Sequence, residues 1–453
     1  MKKILLLLLL IAGGVSTASA TDLYVGACTK QGSNSESSWE IKGKMTDNGD
    51  GTYTYIATLP TFDYNSSTDN ADLFIFTIFK QNSISWADDA IYCTTSNRPW
   101  VDNSTYQFTM QAKNVQDYQI VYPVYTPDSW GGHNNARAIK IDFNTSTLNL
   151  TVKRLIVVAS GYNGWSTTTH YLEETSNGSK IYAGNVPLED TSTDYSDGFQ
   201  FVYIDHSQQV YGSKKVDNGN WIAASQENFE VSADGIYYLY ADFTDWHWTD
   251  PVLQNVSASV GTYGMATLCS EYALDFTDLA EASVKAYAIT DNDKATGTLT
   301  KSQITGRVPA GTGLYIEGTA NASINVPTTI CTDDLDVDNM LKGVTSNTDI
   351  SQTESTYTNY ILTVNKAVGG DADTPKFFKV NDAGNTVPAG KAYLQIPTAS
   401  AAREFFWFDG EATAVNAVKQ EQKFDGKVFN LAGQRIANPT KGLYIVNGKK
   451  VIK

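Results

Sequence analysis

Short runs of alternating apolar and polar residues recur along most of the chain, each closed by a cluster of turn formers. Thr52-Tyr53-Thr54-Tyr55-Ile56 and Phe199-Gln200-Phe201-Val202-Tyr203 are typical runs. Asp47-Asn48-Gly49-Asp50-Gly51 and Ser176-Asn177-Gly178-Ser179 are typical breaks. A period of two at such short spacing predicts an all-β protein of antiparallel sandwiches. The Asp-Gly and Asn-Gly steps suit hairpins because they tolerate positive φ. One segment, Asp275 to Ala288, carries a weak helical pattern and is the single helix expected.

The runs repeat in order. Leu23-Tyr24-Val25-Gly26-Ala27 leads to Trp39, and Leu155-Ile156-Val157-Val158-Ala159 leads to Trp165. A tyrosine-bearing strand follows each, then Phe74-Ile75-Phe76-Thr77-Ile78 or Phe199-Gln200-Phe201-Val202-Tyr203. Trp100 and Trp221 fall at comparable points. Each copy ends on a strand closing in Asp-Phe, at Asp142-Phe143 and at Asp242-Phe243. This order of landmarks predicts a duplication. Residues 21–150 form the first β-sandwich module and 151–250 the second. Residues 251–410 differ: they hold one tryptophan, Trp407, and two Val-Pro-Ala-Gly turns at 308–311 and 387–390. They are read as a third β-rich module of unassigned role. Residues 411–423 are polar and unpatterned, a linker, and 424–453 form a short β tail.

Residues 1–20 stand apart. Lys2 and Lys3 precede an apolar run closed by Ala18-Ser19-Ala20, the layout of a cleaved signal peptide. The run is short for a membrane span, and no other long apolar stretch follows. The expected protein is therefore exported, secreted or held at the outer cell surface, with no transmembrane segment. Its four cysteines allow the intramodular pairs 28–93 and 269–331, or burial as small apolar residues.

Composition narrows the function. The net charge is -16, which disfavours nucleic acid as a partner. The tail reverses that sign: Lys427, Arg435, Lys441, Lys449, Lys450 and Lys453 face a single acid, Asp425. No nucleophile elbow, zinc motif or phosphate loop is present, and no cofactor or metal is expected. The acidic run 333–339 lacks the glycine and closing glutamate of a calcium loop and is read as solvated. The chain is therefore read as non-catalytic. A glycosidase is the less favoured alternative, because a carboxylate dyad has no fixed sequence spacing.

Tryptophan carries the remaining signal. An indole stacks on the C–H face of a sugar and its N–H can reach a hydroxyl, yet it also packs well in cores. Trp39 and Trp165 are read first as packing residues. Trp86, in the polar stretch Ser85-Trp86-Ala87-Asp88-Asp89, is a candidate carbohydrate-binding residue, with Tyr211 as its counterpart in the second copy. Trp100 and Trp221 are candidates as well. Trp246 and Trp248 bracket His247 and, on a strand, would share one face as a platform. Trp130 is a further loop candidate.

The repeated landmarks and the segment Ile139-Lys140-Ile141-Asp142-Phe143-Asn144-Thr145-Ser146-Thr147-Leu148-Asn149-Leu150 resemble the carbohydrate-binding modules of starch-binding outer-membrane lipoproteins of Bacteroidetes. That resemblance implies tandem immunoglobulin-like sandwiches and a polysaccharide or oligosaccharide partner, an α-glucan first. Those lipoproteins carry a lipobox cysteine, which this chain lacks. The tail resembles the C-terminal sorting region of type IX secretion cargo. The likeness rests on Val428-Phe429-Asn430-Leu431-Ala432-Gly433-Gln434-Arg435-Ile436, on Gly442-Leu443-Tyr444-Ile445-Val446 and on Lys449-Lys450-Val451-Ile452. It implies type IX-like export machinery as a second partner. A structural or adhesive surface protein whose tryptophans are all core is the alternative.

Overall fold

The structure is a computed structural model. It describes residues 22–62, 71–125, 136–190, 198–205, 208–217, 220–223, 228–331, 333–364, 375–381, 384–400 and 403–408. It also gives the backbone of four tail strands, at 428–429, 435–436, 443–446 and 449–452. The expected signal peptide and linker, with Trp130, lie outside the described residues. The fold is all-β, in several sheets. No helix among the described residues is long and apolar enough to cross a membrane.

The described chain divides into two compact units. One runs to Val256 and takes in Pro327–Ile330; the other comprises Ser257–Val326 and the described residues from Cys331 on.

The first unit holds two sandwiches built to one plan. Strand Tyr24–Lys30 pairs with Glu40–Lys44 on one side and Asp72–Phe79 on the other, and Asp72–Phe79 continues to Ile91–Thr94. Opposite them, Thr52–Thr58 pairs with Ala138–Asn144. The same pairings recur in the second sandwich. Asn149–Ser160 pairs with Tyr171–Glu174 and Phe199–Asp205, Phe199–Asp205 with Gln208–Asp217, and Ile181–Leu188 with Gly235–Asp242.

Alternation explains most of these strands. In Ala138–Asn144 the residues Ile139, Ile141 and Phe143 face the core while Lys140 and Asp142 face outward. Asp72–Phe79 breaks the rule, since every one of its residues is buried. Phe74, Phe76 and Ile78 enter the sandwich core, whereas Leu73, Ile75 and Phe79 form apolar patches on the other face. A strand covered on both faces must be apolar throughout, and something must cover its outer side. Trp39 packs on both of those outer patches.

One strand joins the sandwiches. Asn149–Ser160 is twelve residues long, and the expected boundary at 150/151 falls inside it. Its first half pairs with Ala138–Asn144 and Gln107–Gln111, its second half with Tyr171–Glu174 and Phe199–Asp205. Ile204 of the second sandwich is buried in the core of the first.

In the second unit, Leu314–Gly318 lies between Met265–Leu268 and Val284–Asp293. The path continues through Thr298–Gln303, Phe405–Phe408, Lys376–Lys379, Tyr357–Thr363, Lys391–Pro397 and Leu341–Val344. Ile289, Tyr315, Tyr360, Phe377, Leu394 and Phe406 fill its core. Both Val-Pro-Ala-Gly turns place their glycine in the left-handed region, Gly311 at φ 78° and Gly390 at φ 79°. The four tail strands form their own antiparallel sheet.

Two expectations are corrected. Asp275 to Ala288 is not a helix: it ends one strand, makes a 3-10 turn at Thr277–Leu279 and enters Val284–Asp293. Val284, Ala286 and Ala288 are buried between partly exposed Lys285 and Tyr287, so period two wins over the alanine content. The pairs 28–93 and 269–331 are not formed either. All four cysteines are free thiols, and Cys28, Cys93 and Cys269 are buried as small apolar side chains.

Candidate functional site

The site begins with the aromatic cover over Asp72–Phe79. Trp39 ends the loop after Tyr24–Lys30, and Trp86 lies in the loop after Asp72–Phe79. Their rings meet edge to face, with centroids 5.1 Å apart at 88°. Trp86 also meets buried Phe79, at 5.6 Å and 74°. It is nonetheless 39% exposed. Its own side chain is thus held at an edge while ring surface stays open to solvent. Edge-to-face pairs of this kind contribute about 0.5–1.5 kcal/mol beyond burial, enough to fix a ring that is only partly covered.

A polar cluster frames this pair. The Arg98 guanidinium takes Glu36, three residues before Trp39, through both Nη atoms, the Nη2–Oε2 distance being 3.3 Å. The same Nη2 reaches Asp117 Oδ1 at 3.3 Å. The Glu36 hydrogen bond is the leading cause that raises the Arg98 pKa above the usual guanidinium range. Arg98 and Asp117 both sit at positive φ, 37° and 61°, a costly backbone for residues with a Cβ. From the loop that carries Asp117, Asn114 Nδ2 donates to the Trp86 carbonyl at 2.7 Å. Arg98 Nε and Asn114 Oδ1 are buried without a hydrogen-bond partner. An aromatic face, a fixed cation, two carboxylates and an amide therefore converge from four loops. Such a set can stack an apolar face and hydrogen-bond hydroxyls, and the Cys28 thiol, which faces Glu36 Oε2 at 3.9 Å, is held protonated chiefly by burial.

The other candidates fare differently. Trp100 is 37% exposed, but it sits at the far edge of the sheet, where its backbone bridges Val121. No ring contact joins it to Trp86 among the described residues. Trp221 lies on strand Asn220–Ala223. Trp246 lies in the turn before the strand His247–Trp248, with φ 53°, so the alternation expected to align it with Trp248 does not apply. Both rings are half-buried against the second sandwich core. Trp246 meets Tyr203 and Phe243, and Trp248 meets Phe229. Tyr211 is 40% exposed but lies within strand Gln208–Asp217, opposite Val202, and is no loop counterpart of Trp86.

Trp39 packs, as expected of it, but on the outer face of the strand rather than in the sandwich core, and Trp165 holds the corresponding place in the second copy. It covers Val157, Ala159 and Val202, on the outer face of the strands that match Tyr24–Lys30 and Asp72–Phe79. Nearby, Tyr162 stacks on His170, with centroids 5.7 Å apart and 14° between planes. Burial lowers the His170 pKa, favouring the neutral ring. The signal available in the sequence was the unbroken apolar strand, whose outer face requires an aromatic cover.

No family model matches the chain, and no curated protein matches it. Among solved structures, the crystal structure of SusF from Bacteroides thetaiotaomicron is similar at 12% identity, over 68% of this chain and 72% of that one. The TM-score is 0.20. With so low a score the likeness carries neither fold nor ligand to this chain.

Proposed function

We propose that this chain is a non-catalytic glycan-binding protein of the cell exterior, made of modules 21–150, 151–250 and 251–410 and exported through its tail. The observation that carries the reading is Trp86. Its ring is fixed by Trp39 and Phe79 and remains open, its backbone is held by Asn114, and the Glu36–Arg98–Asp117 cluster on the neighbouring loops is available to address hydroxyls. Trp100 is retained as an outlying contact, while Trp221, Trp246 and Trp248 are weaker candidates. The tail, of type IX-like character by its residues, serves export machinery rather than the ligand.

The test is affinity electrophoresis of the exported chain, from Thr21 on, through gels containing starch and a panel of other polysaccharides. Retardation by an α-glucan that Trp86→Ala weakens about tenfold supports the reading. No retardation by any glycan favours a structural or adhesive surface protein, a reading that the core packing of Trp246 and Trp248 supports. Release of reducing ends would make the protein a glycosidase.

A further inference from the structure

The second unit contains a cleft of about 600 Å³ where its sheet forks. Strand Lys391–Pro397 changes neighbours at Leu394. Its later residues pair with Tyr357–Tyr360, its earlier ones with Leu341–Val344. Beyond Tyr360 the strand Tyr357–Thr363 keeps its partner on one side, Lys376–Lys379, and has none on the other among the described residues.

The register says which backbone groups face the gap. Gln395 donates its N–H to the Met340 carbonyl, so the alternate residues Leu394 and Ile396 face Tyr360 and Thr358. By the period of two, Leu362 turns its N–H and C=O toward the place the departing strand has left. The opposite wall is Met265–Leu268, whose strand partner among the described residues is Leu314–Gly318, with the Ala392 N–H donating to Thr267 Oγ1 at 3.1 Å. There the Gly264 carbonyl receives the Gly318 N–H, whereas Cys269 donates outward to Gly390. Met265 and Thr267 share the parity of Cys269 and so face the cleft. The Thr267 carbonyl meets Lys391 Nζ at 3.4 Å. The N–H and C=O of Met265, the N–H of Thr267 and both groups of Leu362 have no partner among the described residues.

The lining between these edges is mostly apolar, with Tyr263, Met265, Ile361, Leu362, Val387 and Pro388. Lys391 is the cation on its wall; it is exposed and forms no ion pair among the described residues.

We propose that this cleft takes an extended peptide strand carrying an acidic side chain. A purely aliphatic guest would cover the backbone groups of Leu362 and Met265 without pairing them, leaving buried donors and acceptors unsatisfied. A strand supplies donors and acceptors at the matching period and sends alternate apolar side chains into the lining. Lys391 selects a carboxylate on that strand. The site lies outside the two sandwich modules, and its occupancy does not depend on whether they bind a glycan.

The experiment titrates the exported chain, by fluorescence anisotropy, into a labelled acetyl-Thr-Val-Asp-Val-Thr amide. The controls are the same peptide with Lys for Asp, and with both valines N-methylated. Saturable binding is expected, weakened about tenfold or more by either peptide change. The Lys391→Glu variant, with an unchanged melting curve, should lose the preference for Asp over Lys. Three outcomes overturn the proposal: no binding of the Asp peptide at millimolar concentration, equal binding of the N-methylated peptide, or decanoate binding where the peptide does not.

Discussion

Arg154 and Glu174 form an ion pair at 3.1 Å in which both side chains are only 3% exposed. Arg154 sits in the strand shared by the two sandwiches, and Glu174 closes the next strand of the second. Asn177 Oδ1 accepts from the same guanidinium at 3.0 Å, and the Lys180 N–H donates to Glu174 at 2.9 Å. Tyr122 of the first sandwich and Tyr182 of the second are fully buried beside them. Removing one member of a buried pair leaves an uncompensated charge, at a cost of about 3–5 kcal/mol. Glu174→Ala is expected to destabilise the protein by that amount in urea denaturation. A Met/Met replacement of both residues should recover most of the loss. Because the pair spans the junction, calorimetry should show the two sandwiches melting in one transition, which Glu174→Ala lowers as a whole.

Trp86 and Trp246 separate a binding role from a packing role. Trp86→Ala should cost about 1–3 kcal/mol of stability, through the loss of its two edge-to-face contacts with Trp39 and Phe79. It should weaken glycan retardation by about tenfold, the loss of one stacking contact of ~1.4 kcal/mol. Trp246→Ala removes a ring packed on Tyr203 and Phe243 and should cost about 2 kcal/mol or more of stability. Its retardation should be unchanged under conditions where it is folded. Urea melts and affinity gels on the same preparations check both.

The strands, their hairpin turns and the recurrence of the first sandwich in the second were legible, because each rests on local alternation and turn chemistry. The exposed loop position of Trp86 was legible from its polar neighbours. Its partner Trp39 was not, since a tryptophan covering the outer face of a strand looks the same in sequence as one in the core. Trp246 was misplaced because a left-handed residue before His247 shifts it out of strand register. Arg154 and Glu174, inside Val-Lys-Arg-Leu and Leu-Glu-Glu, read as ordinary solvated charges. Only the junction, made by segments twenty residues apart and by Tyr122, buries them. The fork at Leu394 depends on pairing between distant strands, and no local pattern encodes it.

The glycines of the second unit give a graded test. A Cβ at Gly343 would lie 2.4 Å from the Gly311 carbonyl oxygen and 2.6 Å from Cys269 Sγ. Backbone cannot yield cheaply, so Gly343→Ala should destabilise by about 1–3 kcal/mol or prevent folding. At Gly390 the nearest atom would be 3.7 Å away, and only the φ of 79° opposes a side chain. Gly390→Ala should therefore cost about 1–2 kcal/mol, the ordinary left-handed penalty. Gly390→Asn should cost less, since asparagine tolerates that region. Urea midpoints for the three variants order the two effects.

Alkaline pH should loosen the protein through its buried thiols. Burial, with the Glu36 carboxylate adding to it, pushes Cys28 up from 9.0 to about 12. Cys93 and Cys269 move in the same direction, chiefly by burial. Buried Tyr122 is pushed up from 10.0 to about 12. For each, the folded chain holds the proton more tightly than the unfolded one. The resulting stability is fully present below pH 9 and is lost as pH rises toward 12, at up to ~1.4 kcal/mol per pH unit for each group. Denaturation midpoints should fall across that window, and Cys28→Ala should flatten the slope. At pH 8 a thiol reagent should modify Cys331, which is partly exposed, while the three buried thiols react only after unfolding. Rapid modification of Cys28 in the folded protein would contradict its burial under Trp39.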